Sequence, residues 1–262
     1  MTAAAAILDP RTTLARPDLA EQALEGVVRA AAFRAVRPMH CAVPVTDIDA
    51  EVAPGDHPID QLILGEAFDV LDGRGDRLWG RARRDGVVGW VEAASLAEGA
   101  PLPTHRIGAL GADLPLNALV GEAEDGVAAI GVFSEDAVSV AQTFLGAPHR
   151  LGGRTSMGTD CSGLVQQALY ACGHAAPRYA DQQAELGLAV TRDEARSGDL
   201  VVWLHSDMSP WNGHSAFLLS DDRVLHATGA HGAVVIESLA EAEARCAASG
   251  FSEACFRRLH TL

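Results

Sequence analysis

Between residues 199 and 236 the chain runs through four short apolar stretches of strand period: Asp199 to Leu204, His214 to Leu219, Arg223 to Ala227 and Ala233 to Ile236. The preceding stretch has a helical period instead. Ser134-Glu135-Asp136 offers an N-cap and first-turn acids to a helix whose Ala137, Val140, Ala141 and Phe144 share one face, with Gly146 and Pro148 as its stop. A second helix runs to Cys172 with Gly173 behind it, and a short helical piece spans about Asp181 to Leu186. A helix near Leu239 to Ala247 and a strand at Ala254 to Leu259 close the pattern. Helices followed by an antiparallel sheet define an α+β domain.

The second helix opens with Gly158-Thr159-Asp160-Cys161-Ser162-Gly163-Leu164. Asp160 is a good N-cap, and Leu164, Val165, Ala168 and Leu169 fall on one buried face. Cys161 then lies in the first turn, where unpaired N–H groups and the helix dipole favour a thiolate, as a nucleophile requires. The same position also suits a cysteine that is only a small core side chain. Downstream, His214 opens one strand and His226 ends the next, joined by a tight turn at Ser220-Asp221-Asp222. In a hairpin these two imidazoles lie roughly opposite each other, within side-chain reach. A cysteine nucleophile needs a base of this kind and a polar group to orient it.

The 262 residues have room for one large domain or two to three small ones. Twenty basic against thirty-five acidic residues give a net charge of -15, which would repel phosphate backbones and anionic membranes. Neither nucleic acid nor a membrane is expected as a partner; a small substrate fits better. The five cysteines form no C-x-x-C pair and are odd in number, arguing against a disulfide framework and a zinc knuckle. No fourth ligand is marked beside Cys161, His214 and His226, so neither a metal nor a cofactor is expected. The start Met1-Thr2 and its short Ala-rich run have neither the basic region nor the length of a signal or spanning segment, and a cytoplasmic protein is expected.

Residues 1–38 are expected to form an N-terminal arm, with Pro17 and Asp18 opening a short helix through Leu24. Over 39–100 the texture becomes short alternating runs broken by hairpin-type turns at Gly73-Arg74-Gly75-Asp76 and Asp85-Gly86, the pattern of a small all-β barrel. This stretch, with Trp79 and Trp90, resembles a bacterial SH3-like domain, in which such an aromatic pair packs the barrel or its binding face. Residues 101–131, punctuated by Pro and Gly, are read as a shortened second barrel or a linker, and 132–262 as the α+β domain.

That last domain resembles the NlpC/p60 family of papain-like cell-wall cysteine peptidases. The resemblance rests on Asp160-Cys161-Ser162-Gly163-Leu164, Ser197-Gly198-Asp199-Leu200-Val201, Gly213-His214 and Leu225-His226-Ala227, four motifs in the family's order. It implies a papain-like fold with Cys161 as nucleophile, His214 as general base and acid, His226 as the orienting group, and the Cys161 N–H as part of an oxyanion hole. It further implies a hydrolase of murein (peptidoglycan stem) peptides. With the SH3-like segment upstream, it points to γ-D-glutamyl-L-diamino-acid bonds and to cell-wall peptide recycling.

Three departures accompany the match. Where the family usually has Tyr in a PYxWGG string, this chain has His149, which can still donate to a scissile carbonyl. The subgroup's PRDS is here Pro177-Arg178-Tyr179-Ala180 followed by Asp181, and the barrel's DGY is Asp85-Gly86-Val87. The resemblance assigns Asp160, Ser162, Arg178, Tyr179 and Asp181 to substrate binding, with Arg178 suited to a substrate carboxylate. The departures keep two other readings open: a weakened murein-binding module, and an amidase or acyl transferase using the same nucleophile. Trp203 and Trp211 could line a groove or pack, whereas Cys172, Cys246 and Cys255 read as buried thiols.

Overall fold

The computed structural model of the chain describes residues 8–100, 102–110, 113–121, 127–205 and 211–259. The Ala-rich start at 1–7 and parts of the 101–131 segment therefore lie outside the described residues. The chain divides into two units, Met1–Leu102 and Pro103–Leu262, each with its own core.

The described residues of the first unit are all β, apart from short 3-10 turns. Its five-stranded antiparallel sheet runs in the order Val88–Glu92, Arg77–Ala82, Ala67–Arg74, Arg37–Cys41, Leu96–Glu98, beside a two-stranded ribbon of Val45–Ile48 and Asp60–Ile63. Trp79 and Trp90 face each other across paired strands, ring centroids 6.5 Å apart, and both are buried. They form a core with Leu71 and with Leu14 and Leu19 of the N-terminal arm, and the Arg16 guanidinium lies 4.1 Å from the Trp79 ring centre. The arm is thus part of this unit's core. Its expected helix is not formed: Ala20–Glu21 pairs with Phe33–Arg34 as a strand, followed by a 3-10 turn over Gln22–Leu24. The reason is tertiary, since Glu21 is buried and takes both guanidinium nitrogens of Arg81 at 2.5 and 3.0 Å.

Among the described residues of the second unit, four α-helices flank a six-stranded antiparallel sheet. The helices are α1 (Ala137–Gln142), α2 (Cys161–Ala171), α3 (Ala180–Gln183) and α4 (Leu239–Ala248). The strands of the sheet are β1 (Leu188–Val190), β2 (Leu200–Leu204), β3 (Gly213–Ser220), β4 (Arg223–Thr228), β5 (Ala233–Ser238) and β6 (Cys255–Arg258), in the order β1-β6-β2-β3-β4-β5. The last strand is inserted between the first two, so the end of the chain closes the sheet. The cap of α1 is Asp136, not Ser134: its two carboxylate oxygens accept from the N–H groups of Val138 and Ser139 at 3.1 and 2.9 Å.

Strand alternation divides the core in two. Leu200, Val202, Phe217, Leu225 and Ala227 pack on Leu164, Val165 and Ala168 of α2. Val201, Trp203, Ala216, Leu218 and Val224 pack on Leu239, Ala242 and Cys246, one stripe of α4. From Ser162 to Ala171 every residue of α2 is buried, and each large aliphatic side chain so placed stabilises the fold by about 1.5–3 kcal/mol.

Residues 103–131 belong with this unit. Three short strands, His105–Ile107, Leu119–Val120 and Val127–Ala129, form an antiparallel sheet, and Leu116 enters the α2 core. The Asn117 amide donates to the Gln167 backbone carbonyl at 3.0 Å and to its side-chain oxygen at 2.9 Å, and buried Arg106 donates to the carbonyl of Ala171 at 3.0 Å. The segment braces the back of the Cys161 helix.

Candidate active site

The start of α2 is held by a buried charge network. Asp160 accepts from the N–H of Gly163 at 2.8 Å and of Gly152 at 2.9 Å, so it caps the helix and also ties down the preceding loop. Its carboxylate meets the Arg178 guanidinium in a bidentate pair of 3.0 and 2.6 Å, and Arg178 also donates to Ser162 Oγ at 2.9 Å. Both charged residues are essentially unexposed. Gly163 is required for space, because a Cβ there would lie 2.3 Å from the Gly153 carbonyl oxygen.

Cys161 therefore projects from a fixed point into a cavity of about 160 Å³, which it shares with His149, Tyr179, Trp211 and His214. Burial pushes its thiol up to about 12, with the neighbouring Asp160 carboxylate adding to the effect; the Ser215 backbone N–H and Arg178 pull weakly the other way. The helix dipole alone predicts the opposite direction, and desolvation outweighs it.

His214 lies on β3 just beyond Gly213, where a Cβ would come within 2.7 Å of the Ala180 methyl. Burial, then His226, His149 and Arg245, holds its pKa well below the ordinary histidine value, so it is neutral and able to accept a proton. The β3–β4 register pairs Phe217 with Leu225. Continued along the strands, it sets His214 across from Thr228 and makes His226 a diagonal neighbour on the same face. The two rings meet edge to face, with His214 Nε2 at 2.7 Å from His226 Nδ1. Trp203 packs beside the His214 ring at 5.7 Å between centroids and is 1% exposed, so it supports the base from the core and does not line the cavity. Trp211 does line it.

Beyond His226 lies a residue that the sequence motifs do not mark. Glu237, on β5, comes within 2.6 Å of His226 Nε2; it also takes a hydrogen bond from Arg245 of α4 and lies 3.3 Å from His231 Nε2. Burial pushes the Glu237 carboxyl up, but Arg245 and His226 outweigh it and hold it below its usual range. His226 is lowered to about 4, burial outweighing the attraction of Glu237. The available signal was a single acid following Val234-Val235-Ile236 on a strand paired with the His226 strand.

The expected substrate-binding residues separate into three groups. Tyr179 is buried and lines the cavity. Asp160 and Ser162 line the cavity and also hold the helix start, whereas Arg178 is fully buried on the two of them outside the lining, where it serves the frame of the helix and does not reach a substrate carboxylate. Asp181 stands half-exposed in the first turn of α3, outside the cavity lining.

Residues 146–250 match the NlpC/P60 family model, and residues 52–96 match the bacterial dipeptidyl-peptidase Sh3 domain. A probable endopeptidase of Haemophilus influenzae is 30% identical over 120 residues, covering 45% of this chain and 71% of that protein. The chain belongs to the NlpC/P60 family. Within the family it is also 30% identical over 108 residues to the γ-D-glutamyl-L-lysine dipeptidyl-peptidase of Bacillus subtilis, covering 41% of this chain and 36% of that protein. It spans about a third of the length of the dipeptidyl-peptidases it matches. The crystal structure of an NlpC/P60 family protein from Bacillus cereus superposes with a TM-score of 0.69 at 16% identity, covering 84% of this chain and 99% of the other, and establishes the shared fold. The NlpC/P60 unit is the one that holds Cys161, His214 and His226; the SH3 match falls on the all-β unit.

Proposed function

We propose that this chain is a cysteine peptidase that hydrolyses amide bonds in peptidoglycan stem peptides, with the γ-D-glutamyl-L-diamino-acid bond as its target. The observation that carries the reading is Cys161 at a rigidly capped helix start, sharing one small cavity with His214. His214 removes the Sγ proton as sulfur attacks the scissile carbonyl carbon. The oxyanion is met by the N–H of Cys161 and by a ring N–H of His149. His214 then returns the proton to the leaving amine, giving a thioester and a free amine. Water, deprotonated by the same imidazole, attacks the thioester and releases the acid with the thiol restored.

The match to a γ-D-glutamyl-L-lysine dipeptidyl-peptidase supports the choice of bond, and the SH3-type unit matches the same class of enzyme. A role in recycling short murein peptides in the cytoplasm belongs to the same proposal, supported by five free cysteines. The test is incubation with L-Ala-γ-D-Glu-diaminopimelate and longer stem peptides, followed by mass spectrometry, with Cys161→Ala as control. Release of the diamino acid by the native chain alone is expected. No turnover of any of these by folded, reduced protein overturns the reading.

One observation favours a second reading, a murein-binding module without cleavage: a thiol pushed up to about 12 is a poor nucleophile unless its base acts. Alkylation separates the two. In a peptidase Cys161 reacts faster than in His214→Ala at the same pH, whereas in a binding module both react alike.

A further inference from the structure

The hydrogen bond between His214 and His226 is compatible with two opposite arrangements of protons. In one, His214 carries its proton on Nε2 and donates it to His226 Nδ1, leaving the lone pair on His214 Nδ1. In the other, His226 donates from Nδ1, and His214 Nδ1 holds the proton. Only the first leaves His214 Nδ1 free to act as a base while Nε2 is engaged by His226. The heavy-atom geometry, 2.7 Å between the two nitrogens, is the same for both.

We propose that Glu237 is a positioning residue that selects the first arrangement, fixing the tautomer of both histidines through the single nitrogen His226 Nε2. A carboxylate has acceptors and no donor; its oxygen stands 2.6 Å from His226 Nε2 without lying on the line of an N–H hydrogen bond, and at that separation its negative charge favours a proton on Nε2 over a second lone pair. A neutral His226 must then present a lone pair at Nδ1. His214 Nε2, facing that lone pair, must carry the hydrogen, and His214 Nδ1 is left unprotonated. The first step is electrostatic, and the later ones follow from donor and acceptor counting across the His214–His226 hydrogen bond. The carboxylate is kept ionised by Arg245, which donates to the oxygen that faces His226, and by His231 beside the other oxygen. Burial falls off along the chain of contacts: His226 is 1% exposed, Glu237 side chain 8%, Arg245 36% and His231 47%. The proton-selecting contact is dry, whereas the groups that anchor the carboxylate reach solvent.

This inference rests on the peptidase reading for its catalytic consequence, but its direct observable does not. The experiment is nitrogen-15 NMR of the histidines in the reduced native chain near pH 7, assigned with His214→Ala and His226→Ala. Both rings are expected as Nε2–H tautomers with unprotonated Nδ1. A proton on Nδ1 of His214 overturns the proposal without recourse to any Glu237 variant. The second arm compares Glu237→Leu with the nearly isosteric Glu237→Gln, whose amide can either donate or accept, each checked for native circular dichroism and melting. Loss of the selecting carboxylate is expected to mix the tautomers and to lower kcat by about 10²-fold in Glu237→Leu, the scale of a general-base contribution, with KM within about threefold. Glu237→Gln is expected to fall between that variant and the native chain. Unchanged kcat in both variants, or a fall in kcat with tautomers unchanged, overturns the proposal. If the native chain cleaves no murein peptide, the rate of Cys161 alkylation replaces kcat. The predicted tautomers together with slower alkylation in Glu237→Leu then uphold Glu237 while the peptidase reading fails.

Discussion

Two charged networks flank the cavity, and they differ in burial and in what they hold. On the helix side Asp160 and Arg178 are sealed from water and tie together Gly152, Ser162 and Gly163, so the network fixes where the Cys161 backbone stands. On the sheet side His214, His226, Glu237 and Arg245 run from the dry interior to a partly exposed end, and the network governs where a proton stands. A bidentate ion pair suits the first task because it has no alternative state. A pair of histidines suits the second because it has two, one of which a neighbour can select.

The sharpest way to break this division is to remove one partner of the sealed pair. Asp160→Asn leaves Arg178 buried without its counter-charge and is expected to destabilise the second unit by about 3–5 kcal/mol, read as a lower urea midpoint. A loss below about 1 kcal/mol would show that the pair is not the frame described here. His226→Ala should do the reverse: kcat falls by about 10²-fold with a smaller stability loss, and His226→Asn recovers part of the rate because its amide oxygen accepts the same N–H. If His226→Ala instead matches Asp160→Asn in stability loss and leaves kcat intact, the two networks do not differ in kind.

Acid sharpens the contrast further. His226 is held at about 4 in the fold against an ordinary value of 6.5, so between those values the unfolded chain binds more protons than the folded one. Its contribution to stability is present above pH 6.5, is lost progressively as pH falls towards 4, and is constant below. Melting curves of the native chain and His226→Asn should therefore diverge above pH 6 and converge towards pH 4. The smallest effect belongs to the wet end. Arg245→Ala should lower kcat at most about fivefold, since a partly exposed ion pair contributes about 0–1 kcal/mol. A drop as large as that of Glu237→Leu would place the proton-selecting function on Arg245.

What the sequence revealed follows the range of each interaction. The cap at Asp160, the α2 stripe and the β3–β4 hairpin are local, and periodicity with turn chemistry located the cysteine and both histidines. The SH3-like stretch was legible for the same reason, from turns at Gly75 and Gly86, both with positive φ. Glu237 was not, because its meeting with His226 depends on strand register and on Arg245 from the following helix. Arg178 misled for a related reason: a lone arginine reads as exposed, and only the folded chain shows Asp160, 18 residues upstream, beside it. The Cys161 thiol combines both cases. The dipole that lowers its pKa is local and visible, whereas the burial that raises it comes from side chains distant in the sequence that wall the cavity, among them Tyr179, Trp211 and His214. The stretch from Pro17 to Leu24 failed in the opposite direction, where helix signals yielded to pairing of Ala20–Glu21 with Phe33–Arg34.

The most direct test of the account is to trap its covalent intermediate. Native chain mixed with excess L-Ala-γ-D-Glu-diaminopimelate is quenched in acid within milliseconds to seconds and weighed intact. The account predicts a burst of free diaminopimelate matched by an L-alanyl-γ-D-glutamyl adduct that maps to Cys161 and is absent from Cys161→Ala. Release of diaminopimelate that persists in Cys161→Ala, or an adduct on any other residue, would contradict it.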